Sequence, residues 1–272
     1  MNNKDDLLNP YYIRDFLPIE SSLLVPVIQV FESTDSTNNV LLEKNCVYPN
    51  GHTCFAEKQT RGRGVSDKEW VDVKKNICFS VAWNYEESHK HPHMLNFLMA
   101  VKVVNALKIL GYKDICAKWP NDIVHDGSKL AGILIDSKYK KDAKVYIVIG
   151  IGLNIDTSLE DKNSIGQEVT DLYSVDKKIV IPRNKIAASI LTSVIECLSE
   201  FYNYDLKKLS DEWNLIDYNL GKDKTIVVDK KIMNVEIKGI NNIGQLCCSH
   251  NGKLNFYNFN EVEILKDEIL CD

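Results

Sequence analysis

Four short stretches of this chain carry polar groups whose types and spacing could do chemistry. The first is Gln59-Thr60-Arg61-Gly62-Arg63-Gly64, which leads on to Trp70. Its glycines let successive backbone N–H groups converge on one anion, and an interleaved arginine adds a planar fork of donors. Lys and Arg together number 33, yet only Arg14, Arg61, Arg63 and Arg183 are arginine. Two of those four stand in one three-residue stretch, so a bidentate cation has been placed there in a chain that otherwise uses lysine. The spacing is not that of a Walker phosphate loop.

The second stretch, Ala117-Lys118-Trp119-Pro120-Asn121-Asp122, joins an extended Trp-Pro entry to an Asn-Asp pair that offers turn hydrogen bonds. The third, Lys129-Leu130-Ala131-Gly132-Ile133-Leu134, opens an apolar strand with a lysine, and its Gly132 permits close approach. The fourth, Ile149-Gly150-Ile151-Gly152-Leu153-Asn154, has no third glycine and no following helix, so a dinucleotide fingerprint is rejected. Glycines at a strand end beside a ligand remain. Each stretch taken singly also fits a surface loop or a strand end. His89, His91 and His93 alternate, but no carboxylate or cysteine is near them in sequence, and they read as a solvated loop.

The elements that must position these stretches follow from hydrophobic periodicity. Residues 1–26 are polar and broken by Pro10, Pro18 and Pro26, about half the length that a helix-turn-helix domain needs. Val27–Phe31 reads as a strand, and Asp35-Ser36-Thr37-Asn38 supplies caps for a helix over Asn39–Lys44. Thr53–Gln59 reads as a strand, and Ile77, Phe79, Val81 and Trp83 alternate as in a half-buried one. Met94–Leu110 is apolar nearly all round with Gly111 as its stop, which predicts a helix packed deep against a sheet. Strands are expected near 115–118, 123–125, 131–137 and 145–151, with a hairpin turn at Asp126-Gly127. Lys185–Asn203 is an amphipathic helix and Leu206–Leu215 a shorter one. After Gly221, short β-rich runs separated by turn signals predict a small antiparallel barrel. A boundary near residue 220 therefore divides 1–220 from 221–272.

Composition narrows the class. The 272 residues are 44% hydrophobic and 26% charged, with a net charge of -5. That balance does not suit a general nucleic-acid or membrane-surface binder. No stretch approaches the ~20 apolar residues of a membrane span. The N-terminal MNNKDDLLNP is neither a secretory signal nor a transit peptide, and the eight cysteines are scattered without a CxxC pair. Reduced thiols in a cytoplasmic protein are the simplest account.

In their order and spacing the stretches resemble the catalytic domain of biotin–protein ligases. The motifs are Asp35-Ser36-Thr37-Asn38, then Ala56-Glu57-Lys58-Gln59 with Gly62-Arg63-Gly64 and Trp70, then Lys118-Trp119-Pro120-Asn121-Asp122. Lys129-Leu130-Ala131-Gly132 and Gly150-Ile151-Gly152-Leu153-Asn154 complete them. They cover about residues 27–160, and Gly239-Ile240-Asn241 with Gly244-Gln245-Leu246 extends the likeness toward the end. The resemblance implies an α+β fold: a central mixed β-sheet packed by helices, of the class II aminoacyl-tRNA-synthetase-like biotin/lipoate ligase kind, with a small C-terminal SH3-like β-barrel. It implies ATP-dependent attachment of biotin, through biotinyl-5'-AMP and with Mg²⁺, to a lysine of a biotin carboxyl carrier protein such as an acetyl-CoA carboxylase subunit. The DNA-binding domain of repressor-type ligases is expected to be absent. DNA and membrane partners are not expected, and a monomer or homodimer is.

The same resemblance assigns roles. Ser36, Thr37, Asn38 and Gln59 would meet the biotin rings. Arg63, Gly64, Val65 and Trp70 would belong to the loop closing over the biotinyl and phosphate groups. Lys129, with Gly132 beside it, would contact the biotin carboxylate and the α-phosphate, and Asn121 and Asp122 would stand at the reacting centre. Gly150, Gly152 and Asn154 would line the nucleotide side, and catalysis would fall to Arg63, Lys129 and Asp122. The loop departs from the family pattern: a second arginine is replaced by Val65 and a third glycine by Asp67, while Lys68 keeps a cation. The adenine-stacking aromatic is unplaced, with Tyr173 as a candidate. The alternatives are a lipoate–protein ligase of the same fold and a non-catalytic biotin or biotinyl-AMP sensor.

Overall fold

The computed structural model describes residues 7–43, 48–65, 68–71, 73, 75–139 and 144–265. Lys44 and Asp67, which enter the expectations above, lie outside them. The strands of the first half are β1 (Ile28–Phe31), β2 (Thr53–Ala56), β3 (Gly62–Arg63), β4 (Glu69–Trp70), β5 (Ile77–Tyr85), β6 (Ile115–Lys118), β7 (Asp122–His125), β8 (Ser128–Tyr139) and β9 (Val145–Leu153). Seven of them form one sheet in the order β1-β2-β5-β9-β8-β7-β6, and β3 pairs with β4 as a separate hairpin. β1 runs parallel to β2 and the remaining neighbours are antiparallel, so the sheet is mixed. Asp126 and Gly127 both take positive φ in the β7–β8 turn, as the sequence expects of a tight hairpin.

The two faces of this sheet have different tasks. On one, Ile77, Phe79, Val81, Ile149, Ile151, Ala131 and Ile133 join a single large apolar core. That core is filled by helices α4 (Met94–Ile109) and α7 (Arg183–Glu200). α4 ends as its sequence predicts: Gly111 has φ +102°, its N–H bonds Lys108 O, and Tyr112 N–H bonds Leu107 O, a Schellman stop. On the other face, Cys54, Ala82, Tyr146 and Val148 make a second, smaller cluster with Leu41 of helix α3 (Thr37–Leu41).

Two local expectations change here. The helix expected over Asn39–Lys44 begins at Thr37 and ends at Leu41, and the Ser36 side chain makes no cap hydrogen bond. Gln59 accepts from the first helical N–H, that of Thr37, and Asp35 braces the turn by accepting from Ser36 N–H at 2.7 Å and from the Asn39 side-chain amide at 2.9 Å. The bonds to Asp35, that of Asn39 above all, hold its carboxyl below its usual range. β5 is not half-buried: Ile77 through Trp83 are all buried, because α3 covers the face left for solvent in the periodicity argument.

Two short helices, α1 (Pro10–Asp15) and α2 (Ile19–Leu23), precede β1. Asn9 caps α1 by accepting from Tyr11 and Tyr12 N–H, with Pro10 at its first position. A loop with α5 (Leu159–Ser164) and α6 (Leu172–Val175) joins β9 to α7, and α8 (Leu206–Asn214) leads to the last strands. These are β10 (Asp223–Val228), β11 (Lys231–Ile240), β12 (Leu246–His250), β13 (Lys253–Tyr257) and β14 (Val262–Ile264). They form an antiparallel sheet in the order β13-β12-β11-β10-β14. The expected barrel is thus an open five-stranded sheet among the described residues, with β13 and β14 as its edges.

Candidate functional site

The site lies on the sheet face that α3 covers. The registers Gly132↔Gly152 and Leu134↔Gly150 put three glycines side by side on β8 and β9. On β9, which ends at Leu153, Gly152 stands one residue from the strand end, as expected, and Gly150 lies further in. Each leaves room for something above it. A Cβ on Gly152 would fall 2.5 Å from the Trp70 ring, and one on Gly150 would fall 2.3 Å from Asn38 Oδ1.

Lys129 reaches this face only because β8 bulges. Ile123 pairs with Ala131 but the next residue, Val124, pairs with Lys129, so Leu130 is an extra residue. Leu130 and Ala131 both enter the main core, while Lys129 lines the cavity beside Gly132. A bulge re-aims the neighbouring side chain, here Lys129 just before it, and strict alternation would have sent Lys129 with Ala131 into the core. Its ammonium lies 2.8 Å from Asp122 Oδ1 and 5.6 Å from the centre of the Trp70 ring.

The wall opposite is built from the start of α3. Ser36, Thr37 and Asn38 are buried. Gln59 Oε1 accepts from Thr37 N–H at 2.8 Å and Thr37 Oγ1 at 3.2 Å. Ser80 on β5 donates within 2.6 Å of Thr37 Oγ1 and also reaches Asn38 Oδ1. Beneath them, burial pushes the Cys54 thiol up to about 12, so this cysteine is no nucleophile.

Seventeen residues line the resulting cavity. They include Ser36, Thr37, Asn38, Gln59, Arg63, Gly64, Val65, Trp70, Asn121, Lys129, Gly132, Gly150 and Gly152, drawn from all four sequence stretches. Its volume is about 50 Å³. Small-molecule pockets measure roughly 300–1,000 Å³, so entry of such a ligand requires Trp70 or its hairpin to move. The Trp70 indole N–H is buried with no acceptor among the described residues, a donor that a polar ligand atom would satisfy.

The remaining expected residues are placed as follows. Asp122 does not line the cavity; it stands beside it as the partner of Lys129. Asn121 turns back on the sheet, donating to Ile133 O at 2.8 Å. The Trp119–Pro120 peptide before it is cis. Asn154 is buried away from the cavity, donating to Lys129 O at 3.4 Å and Thr170 O at 3.0 Å and accepting from the Asn76 amide at 3.1 Å. It fastens the backbone of Lys129. Tyr173 is exposed, with Lys177 over its ring, and does not reach the cavity. Arg63 is already engaged: its two terminal nitrogens meet the two oxygens of Asp136 at 3.0 and 3.1 Å.

Asp136 and Ser80 are the residues that the sequence reading passed over. Their signal was parity: Asp136 follows Gly132 and Leu134 at intervals of two on β8, and Ser80 lies two residues from Cys78 on β5. Both sat within runs read only for their apolar content.

The sequence profile of the biotin/lipoate A/B protein ligase family matches residues 30–154. Those residues are a ligase domain of that family. They hold the whole cavity, from Ser36 to Gly152. The bifunctional ligase/repressor BirA of Salmonella typhimurium is 28% identical over 264 residues, 96% of this chain and 82% of that protein. The biotin–[acetyl-CoA-carboxylase] ligase of Paracoccus denitrificans is 29% identical over 124 residues, 45% of this chain and 52% of that one. In fold, the chain resembles the biotin protein ligase of Aquifex aeolicus in complex with biotin and ATP. The TM-score is 0.74 at 22% identity, over 89% of this chain and 99% of the other. The mixed sheet packed by helices is therefore the expected one, and an antiparallel five-stranded sheet follows it in place of the expected barrel.

Proposed function

We propose that this protein attaches biotin to a lysine of a carrier domain, using ATP. The observation that carries this is the convergence of Ser36–Asn38, Gln59, Trp70 and Lys129 on one glycine-floored cavity inside the ligase domain. A carboxylate is not electrophilic at neutral pH. Its attack on the α-phosphate of ATP makes biotinyl-AMP and pyrophosphate, and a carrier lysine then attacks the acyl carbon and displaces AMP.

Two anions must meet in the first step. Lys129 supplies the positive charge at the cavity wall. Mg²⁺ accompanying ATP would screen the charge of its phosphates. A free lysine has a pKa of about 10.4, so roughly one in two thousand is neutral at pH 7. Asp122, partly exposed beside Lys129, is the carboxylate positioned to orient the incoming amine and take its proton. The carrier is a biotin carboxyl carrier domain of a carboxylase, the chemistry named for the Paracoccus relative. The fold holds no helix long and apolar enough to cross a membrane among the described residues.

Incubation with biotin, MgATP and an apo carrier domain tests the reading. Mass spectrometry should find one added biotinyl group per carrier and AMP in solution. Adenylate formed but never transferred would favour the sensor, and preference for lipoate in direct competition would favour the lipoate ligase.

A further inference from the structure

The Arg63–Asp136 pair changes what Arg63 does. Asp136 sits on β8 on the same face as Gly132 and Leu134, opposite Val148 of β9. Its carboxylate takes three donors: Arg63 Nη1 and Nη2, and the Asn38 amide at 2.8 Å. Arg63 and Asn38 lie 73 and 98 residues away in sequence. They belong to the hairpin β3–β4 and to α3, the two structures that wall the cavity. A single carboxylate thus ties both walls to the sheet that forms its floor.

Two features make that tie consequential. β3 and β4 are two residues each, so the hairpin has little pairing of its own to hold it down. It also carries Trp70, which must move for a ligand to enter a cavity this narrow. With both terminal nitrogens of Arg63 on Asp136, its charge is largely compensated before any ligand arrives. Parallel N–H···O bonds of this kind fix geometry as well as attract.

We propose that Asp136 is a positioning residue: through Arg63 it holds the β3–β4 hairpin across the cavity mouth, and through Asn38 it holds the opposite wall, so that it governs how long the activated intermediate is retained. The proposal rests on the ligase reading for its ligand but not for its latch.

The test compares wild type, Asp136→Ala, Asp136→Glu, Arg63→Ala and the double alanine variant. Stopped-flow release of biotinyl-AMP should quicken by roughly tenfold in Asp136→Ala, equivalent to about 1.4 kcal/mol. The rate of adenylation at saturating biotin and MgATP should fall by less than release rises, and Asp136→Glu should restore part of the retention. The double variant should release no faster than the faster single one, since the two act through one contact. Wild-type release in Asp136→Ala, or additive effects in the double variant, overturns the proposal. If wild type forms no biotinyl-AMP, the ligase reading fails and the latch is judged on ligand-free protein. Hydrogen exchange at Gly62–Arg63 and Glu69–Trp70 should then be faster in Asp136→Ala than in wild type, and equal exchange refutes it. Should Asp136→Ala not fold, the exchanged pair Arg63→Asp with Asp136→Arg replaces it, and retention must survive the exchange.

Discussion

Lys129 and the Trp70 indole both line the cavity, and the carboxylate of Asp122 stands beside it, 2.8 Å from the Lys129 ammonium. Lys129→Ala should cost roughly 2–5 kcal/mol of transition-state stabilisation, about 30-fold to several thousand-fold in adenylation, because a charge-assisted bond to a desolvated anion is lost. The fold should survive, since the bulge is fixed by backbone bonds to Glu168 and Thr170. Pyrophosphate release at the wild-type rate would remove Lys129 from the chemistry. Val65 lines the same cavity without a donor, where the resembling family carries an arginine. One charge-assisted contact of about 1.5–3 kcal/mol is therefore missing, and Val65→Arg should slow biotinyl-AMP release by roughly tenfold or more. The same stopped-flow measurement on Lys68→Ala separates the cases. If Val65→Arg changes nothing and Lys68→Ala speeds release, Lys68 is the substitute.

At the scale of elements, the site depends on two adjacent strands that present hydrogen in place of side chains. A methyl on Gly152 would overlap the Trp70 ring, so Gly152→Ala must push the ring off the floor and the hairpin with it. The expected cost is about 1–3 kcal/mol in stability from overpacking, with a larger relative loss in biotin binding. Urea unfolding and isothermal titration measured on the same preparation decide this. Unchanged biotin affinity in Gly152→Ala would show that Trp70 is not part of the ligand site. The neighbouring element, α4, is apolar nearly all round for a reason that the sequence alone leaves open. One side meets the large sheet and α7, while another meets the second sheet, where a Cβ on Gly244 would strike Phe97 and Met94.

At the scale of the whole molecule, the two sheets share one core: Phe97 and Trp213 belong to the same cluster as Ile226, Val235, Ile237 and Leu246. The junction runs through residues 216–218, which bond to Ala117 at the edge of the large sheet. Asp217 is buried there, one oxygen accepting from Asn219 N–H at 2.9 Å. Burial pushes its carboxyl up to about 6 from an ordinary 3.8. A folded value above the unfolded one means that folding binds a proton between the two. The associated stability is therefore full below about pH 4 and lost as pH rises through about 6. A shift of this size corresponds to about 1–3 kcal/mol. Urea unfolding across pH 4–8 should show that decline in wild type and a flatter profile in Asp217→Asn. An equal slope in both would place the titration elsewhere. The boundary near residue 220 is, on our reading, a change of sheet within one cooperative unit. Limited proteolysis yielding a folded 1–220 fragment would contradict it.

Much of this was legible in the chain. The strands and main helices follow from periodicity, α4 from its unbroken apolar run, its end from Gly111, and the β7–β8 turn from Asp126-Gly127. Of the four chemical stretches, the first could be picked out by its clustered arginines and glycines, the third and fourth by their glycines, and the second by its Trp-Pro and Asn-Asp pairs. Three features were settled only by the tertiary structure. A period of two cannot announce a bulge, so nothing in Lys129-Leu130-Ala131 showed which face the lysine takes until β7 imposed its register. Solvent and a covering helix leave the same pattern when the covered residues are small or polar, as Cys78, Ser80 and Ala82 are, so the second buried face of β5 was hidden. And a pair 73 residues apart leaves no local trace, so the engagement of Arg63 by Asp136 became visible only once the sheet had brought β8 beneath the hairpin.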